Sequence, residues 1–233
     1  MENIFITGAN RGLGLSLAAL YLEAGDQVLV GVRSSSEPLA LLETRYPGAL
    51  HLMVVDVASE ESVRAAAETA GRRVDRLDLI INNAALLYPK SATDTIERID
   101  VDAAAEMMDV NALGPLRVLK HFVPLLRDSP RGMVVNISSE AASIAGCQRG
   151  TSYAYCMSKA ALNMASVILQ NYLREKGVKV LAVHPGWMRT RMGGEEGTYD
   201  TLESAAAILA LTKKEWRMDG PVFIDHTGAP MQW

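Results

Sequence analysis

At 233 residues and 49% hydrophobic, the chain can bury a substantial core yet is no longer than one large α/β domain, so a single domain over 1–233 is expected. A formal charge of −4 and a pI near 5.6 leave no basic footprint, which argues against nucleic acid or an anionic membrane surface and for a small-molecule ligand. The start, MENIFITGAN, lacks the charged region and cleavage site of a secretory signal, and no stretch approaches the roughly 18 apolar residues of a membrane helix. A cytoplasmic protein is the expectation, with Cys147 and Cys156 both free thiols.

The first strand, Ile4 to Thr7, leads into TGANRGLG and a helical pattern from Gly12 to Ala24. A strand, a glycine turn and a helix N-terminus place backbone N–H groups and the positive end of a helix dipole where a pyrophosphate can sit. Glycines stand at Gly8, Gly12 and Gly14, but Leu17 holds the third glycine position of GxGxxG, and a tight turn without ligand is the alternative reading. Gly25 sits where this helix must end, before the second strand, Gln27 to Val32. That strand ends VGVRSS. Arg33 therefore takes the place where an acid would bind an adenosine ribose, and Arg11 adds a second guanidinium. Two bases facing a dianionic 2′-phosphate favour NADPH over NADH; two solvated arginines are the alternative. Asp26 and Glu37 are poorly placed to act as the ribose acid.

A helical pattern from Ser36 to Tyr46 precedes the third strand, Leu50 to Val54. Asp56 follows at the carboxyl edge, where open parallel sheets hold ligands; capping of the next helical pattern, Ser59 to Val74, is an equal alternative. The fourth strand, Leu77 to Asn82, ends in NNAA, and its paired asparagines suit either ligand contact or bonding to nearby backbone. Asn111 lies in a helical pattern over Val101 to Arg127 that Pro115 and Pro124 should bend or interrupt.

Ser138 and Ser139 end the fifth strand, Gly132 to Ile137, and a long helical pattern from Ser152 to Lys176 opens with YAYCMSK. Tyr155 and Lys159 are four apart, so on a helix they share a face, and a nearby ammonium lowers a phenol's pKa from about 10 toward use as a proton donor. Tyr153 has only Met157 at that spacing. Such a pair alone is often a surface accident; its significance here comes from company. Gly177 precedes the sixth strand, Val178 to Val183, and then VHPGWMRTRM, where Pro185-Gly186 would let backbone approach a nicotinamide. Arg191 to Tyr199 is the expected mobile loop. A helical pattern from Thr201 to Leu211 and a strand from Val222 to Ile224 complete a doubly wound, Rossmann-like α/β fold with a seven-stranded parallel sheet.

With these residues in order, the chain resembles the short-chain dehydrogenase/reductase family over nearly its full length, on TGANRGLG at 7–14, NNAA at 82–85, Asn111, Ser139, YCMSK at 155–159 and PGWMRT at 185–190. HPGWMRTRMGG and the ending GPVFIDHTGAPMQW resemble the C-factor and Sniffer branch of carbonyl reductases. The resemblance implies that Tyr155 is general acid, that Lys159 lowers its pKa and holds the nicotinamide ribose, that Ser139 orients the carbonyl, and that Asn111 supports a water leading protons to Lys159. Ser138 remains the alternative to Ser139. The implied NADPH contacts are Gly8, Asn10, Arg11, Gly12, Leu13, Gly14, Arg33, Asp56, Val57, Asn83, Ala84, Ala85, Tyr155, Lys159, Pro185, Gly186, Trp187, Met188 and Thr190.

Two features depart from the family's pattern. Ala85 replaces the glycine of NNAG, and the 16-residue interval from Ser139 to Tyr155 is longer than usual, the loop from Glu140 to Thr151 absorbing the excess beside the substrate. The pocket is expected from that loop, Trp187 and Met188 to Tyr199, with a small substrate loop region at about 188–215.

The expected activity is reduction of an aldehyde, ketone or quinone-like carbonyl to the alcohol. A cofactor-binding regulatory or signalling protein is the rival. No metal site is expected, since His51, His121, His184 and His226 are scattered. The apolar-stippled helix from Ser152 suggests a homodimer, or a tetramer.

Overall fold

A computed structural model describes residues 1–126, 129 and 131–233. Short Val- and Ile-rich runs form β1 (Asn3–Thr7), β2 (Gln27–Val32), β3 (Leu50–Val54), β4 (Leu79–Asn82), β5 (Met133–Ile137), β6 (Lys179–His184) and β7 (Phe223–Asp225). All pair in parallel, in the order β3-β2-β1-β4-β5-β6-β7. The strand order reverses at β1, whose neighbours are β2 and β4. The crevice beyond the carboxyl ends of β1 and β4 is thus the place such a sheet offers to a ligand. β4 begins two residues later than expected because Leu77 donates its N–H to the Leu125 carbonyl (2.8 Å) and the Asp78 carboxylate accepts from Asn3 N–H (2.9 Å).

Strand residues alternate between two cores, as a pleated sheet covered on both faces requires. Ile4, Ile6, Val28, Val30, Leu79 and Ile81 point to the side of α1 (Gly12–Glu23), α2 (Glu37–Arg45) and α7 (Thr201–Lys213). Phe5, Leu29, Ile80, Val134 and Val180 point to the side of α3 (Glu60–Gly71), α5 (Gly114–Phe122) and α6 (Tyr153–Leu173), where Phe5 stacks on Phe122 with centroids 4.1 Å apart.

Caps explain where the helices start: Ser36 on α2, Ser59 on α3, Asp100 on α4 (Val101–Met108) and a reciprocal Asp200–Glu203 capping box on α7. α7 is held to α1 by Ser16–Thr201 (2.9 Å) and by a buried Tyr21–Thr212 hydroxyl pair (2.7 Å). Much of the 188–215 stretch expected to border the substrate is therefore a packed helix.

The fourth helical pattern is not continuous. A wide π-helical turn, Asp109–Leu113, joins α4 to α5, and a 3₁₀ turn at Val123–Leu126 contains Pro124. Pro115 lacks the N–H that would close on the Asn111 carbonyl, so the ladder slips one residue there. The expected end of this pattern, Arg127, lies outside the described residues. Among the described residues no helix is long and apolar enough to cross a membrane.

Candidate active site

The glycine turn is braced from below by the paired asparagines. Thr7 Oγ1 accepts the N–H groups of Asn83 and Ala84 (3.0 Å each), and Asn83 Nδ2 donates to the carbonyls of Thr7 (2.9 Å) and Gly8 (3.1 Å). Gly14 packs into this brace: a β-carbon there would sit 2.5 Å from Asn83 Nδ2 and 2.6 Å from the Gly8 carbonyl oxygen. At Gly12 (φ +55°) a β-carbon would meet nothing within 4 Å, so the outer side of the turn is open. Leu17 is fully buried, and the third glycine position is a core residue in this chain. Gly14→Ala should destabilise the protein by about 1–3 kcal/mol through overpacking, with a lower urea midpoint as the readout.

The open side is chemically suited to a dinucleotide. No acid occupies the first turn of α1, Arg11 at its N-cap makes no side-chain cap, and Arg33 lies exposed at the end of β2. Leu13 is buried beneath the turn, and the Asn10 carbonyl accepts from Ser36 Oγ (2.7 Å), tying the turn to α2. Asp56 does not cap α3; Ser59 does, and Asp56 Oδ1 instead accepts Ala58 N–H (3.0 Å), shaping the loop after β3. Val57 is buried against Gly114. Asn82 stays inside the sheet, donating to Asn136 Oδ1 (2.8 Å), so only Asn83 serves the turn.

At the ends of β5 and α6 the two candidate serines separate. Ser138 Oγ is committed inward, to Asn163 Oδ1 (2.6 Å). Ser139 Oγ lies beside the Tyr155 phenol, accepts Ala141 N–H (3.1 Å) and donates to Glu140 Oε2 (2.5 Å). α6 is launched from Ser152 at φ +66°, the one positive-φ non-glycine residue among those described, and its first turn carries Tyr155. Asn111 holds this turn from behind: its Nδ2 donates to the Leu86 carbonyl (2.9 Å) and to Ser158 Oγ (3.0 Å), and Ser158 donates to the Tyr155 carbonyl (2.9 Å).

Tyr155 and Lys159 do share a face, with Lys159 Nζ 5.8 Å from the phenol ring centroid. The phenol nevertheless stands above its ordinary value. Burial pushes the phenol up to about 12, against the Ser139 hydrogen bond, while Lys159 Nζ is turned onto the Ile137 carbonyl (2.7 Å). Burial also pulls Lys159 down to about 8. Ser158, Asn163 and the Ile137 carbonyl were not anticipated, although Ser158 and Asn163 stand at helical spacing from Tyr155 and Lys159.

The segment after β6 is closely packed: at Gly186 (φ +86°) a β-carbon would lie 2.7 Å from the Tyr199 ring, which is what requires glycine there. Tyr199 in turn packs edge-on against His226, with centroids 4.6 Å apart. Pro185 is buried, Trp187 is exposed and donates to the Gly193 carbonyl (2.8 Å), and Met188 bridges to Tyr199. Thr190 Oγ1 accepts Gly193 N–H (2.9 Å). Within Arg191 to Tyr199, a β-carbon at Gly197 would come within 2.4 Å of the backbone of Met188 and Arg189; close packing on that backbone is what requires glycine there.

A cavity of about 530 Å³ is lined by Glu140, Cys147, Gln148 and Arg149 of the enlarged loop. Met231 and Gln232 line it as well; Trp187 and the Met188 to Tyr199 segment do not. Ala145 N–H donates to the Trp233 carbonyl (2.7 Å), holding the last residues against the loop. Cys147 and Cys156 are free thiols.

The sequence profile described as short chain dehydrogenase matches residues 2–200. The chain is 34% identical over 157 residues to the C-signal protein of Myxococcus xanthus, covering 67% of this chain and 93% of that one. It is similar in structure to the carbonyl reductase Sniffer of D. melanogaster (TM-score 0.92, 27% identity, 100% of both chains). An NADPH-bound carbonyl reductase from chicken fatty liver is also similar (TM-score 0.90, 29% identity, 100% of this chain and 99% of that one). The glycine turn braced by Asn83, the parallel sheet and these likenesses together show that the chain belongs to the short-chain dehydrogenase family of oxidoreductases.

Proposed function

We propose that the protein is an NADPH-dependent reductase of small-molecule aldehydes, ketones or quinone-like carbonyls, with Tyr155 as proton donor. The observation that carries this reading is the juxtaposition of Tyr155, Ser139 and Lys159 at the carboxyl edge of the sheet that also holds the open glycine turn. NADPH, when bound, supplies the hydride. The chain's own part is to hold a carbonyl oxygen near the phenol and to deliver a proton as negative charge develops there. A phenol near pKa 12 remains a far stronger acid than an alcohol, so it protonates an alkoxide readily and is reluctant to act as a base. That asymmetry suits reduction. Lys159, lying under the phenol, is assigned to the nicotinamide ribose, and Asn111 to holding the first turn of α6 in register.

Arg11 and Arg33 would hold the 2′-phosphate of NADPH, a preference in keeping with the NADPH-bound chicken relative. Charge-assisted hydrogen bonds contribute about 1.5–3 kcal/mol each. Arg11→Ala combined with Arg33→Ala should therefore raise KM for NADPH roughly tenfold or more and leave KM for NADH nearly unchanged. The decisive experiment is loss of nicotinamide absorbance when the protein meets a panel of carbonyls with either cofactor; no consumption with any carbonyl would remove the enzymatic reading.

A second reading, a cofactor-binding signalling protein, is favoured by the match to 93% of the C-signal protein. A Tyr155→Phe strain with normal behaviour, beside a defect in the Arg11→Ala, Arg33→Ala strain, would select it. The proposal includes a cytoplasmic setting, in keeping with the free thiols, and a homodimer through the outer face of α6, where Met157, Met164 and Ile168 are exposed.

A further inference from the structure

The proton of Ser139 is already taken. A serine hydroxyl has one proton to give, and here it goes to Glu140 Oε2 (2.5 Å), while the oxygen accepts Ala141 N–H (3.1 Å) and faces the Tyr155 phenol. A carbonyl oxygen is an acceptor, so it gains nothing from Ser139 until that bond is broken.

Glu140 is built to keep it. Its Oε2 also accepts Ala141 N–H (2.6 Å) and its Oε1 accepts from Arg149. Burial alone would raise this carboxyl, but Ser139, Arg149 and the Ala141 amide together hold it below the usual carboxylate range, so it stays ionised. The same side chain lines the 530 Å³ cavity, so one carboxylate touches both the reactive serine and an open space.

We propose that Glu140 is a specificity-determining residue that withholds the Ser139 proton from simple carbonyls and releases it to carbonyl compounds carrying a hydroxyl or amine donor one or two bonds from the carbonyl carbon. Such a donor, entering from the cavity, replaces the serine as partner of Glu140 Oε2. Ser139 then turns its proton to the carbonyl oxygen. No bond other than hydrogen bonds changes in this exchange. The inference deepens the reductase reading and rests on it.

The test pairs an α-hydroxyketone with its O-methyl ether, which differ only in the donor. The wild-type protein should reduce the hydroxyketone with kcat/KM about tenfold higher, the difference one hydrogen bond typically makes. Glu140→Ala should level the two by raising the rate on the ether, and Glu140→Gln, which keeps the side chain's shape, should narrow the gap. Equal rates in the wild type, or a preference that survives both substitutions, would overturn the inference while leaving the reductase reading intact. Failure to reduce any carbonyl would bring down both.

A second readout needs no turnover. The charged or titratable groups around Tyr155 are Glu140, Arg149, Cys156 and Lys159, and those around Glu140 are Arg149, His184 and Tyr155. Removing the Glu140 charge takes away a negative charge that raises the phenol and frees both the Ser139 proton and the Arg149 guanidinium, and all three changes favour phenolate. Tyrosinate absorbance, taken as the difference between each protein and its Tyr155→Phe counterpart, should therefore titrate at lower pH in Glu140→Gln. An unmoved titration would show that Glu140 does not govern Ser139.

Discussion

Tyr155→Phe is expected to lower kcat for carbonyl reduction by roughly 10²–10⁴-fold, the range general acid catalysis contributes. It should leave NADPH binding and thermal stability close to the parent's. The substitution removes one hydroxyl from a half-buried ring whose backbone is held separately, through Ser158 and Asn111. The phenol's partner, Ser139, keeps its bonds to Glu140 and Ala141, so no buried polar group is orphaned. Cofactor fluorescence, melting temperature and single-turnover kinetics on the same preparation separate the effects. Turnover persisting within a few fold of the parent would place the proton donor elsewhere, and a lost melting transition would mean that the hydroxyl was structural.

In the parent protein the same geometry predicts a fall of kcat/KM on the alkaline side. Lys159 is pulled down to about 8 by burial, so its positive charge is lost across that region while Tyr155, near 12, keeps its proton. An alkaline limb with an apparent pKa near 8 should appear in a pH–rate profile, reporting Lys159 rather than the tyrosine.

The periodic parts of the chain are legible in its sequence. Continuous Val and Ile runs such as QVLVGV marked buried parallel strands, and β2 and β3 fall where those runs stand. Gly25 and Gly177 end helices at φ +84° and +71°, as their positions implied. The π-helical turn before Pro115 was legible only as an interruption, because proline marks where a ladder fails and not how the chain accommodates it. In the site, side-chain spacing on one helix put Tyr155 and Lys159 on one face, but spacing does not reveal which carbonyl an ammonium will choose. The Ile137 carbonyl belongs to β5, 22 residues earlier, and its capture of Lys159 is a tertiary event. The same holds for Glu140. In the sequence it is an ordinary loop acid, and its hold on Ser139 depends on Arg149 folding back from nine residues away. Met231 and Gln232, which also line the cavity, come from the other end of the chain and carry no local signal.

Lys159→Met should abolish most activity and yet make the protein harder to unfold near neutral pH. The lysine is almost fully buried and, among the described residues, has a single carbonyl partner and no carboxylate, an environment that disfavours its charge. Its pKa is about 8 in the folded protein against 10.5 ordinarily, so between those values the unfolded chain binds more protons than the folded one. Stability must then rise with pH from about 8 to about 10.5 on this group's account, and the full penalty, roughly 3 kcal/mol, is present below pH 8. Methionine of similar length removes that penalty and leaves the Ile137 carbonyl without its donor, a loss of about 1–3 kcal/mol. The net expectation is a higher urea midpoint at pH 7 and, more tellingly, loss of this rise between pH 8 and 10.5. Equal pH slopes in parent and variant would show that the ammonium is solvated in the folded protein, and the placement of Lys159 beneath the phenol would have to be abandoned with it.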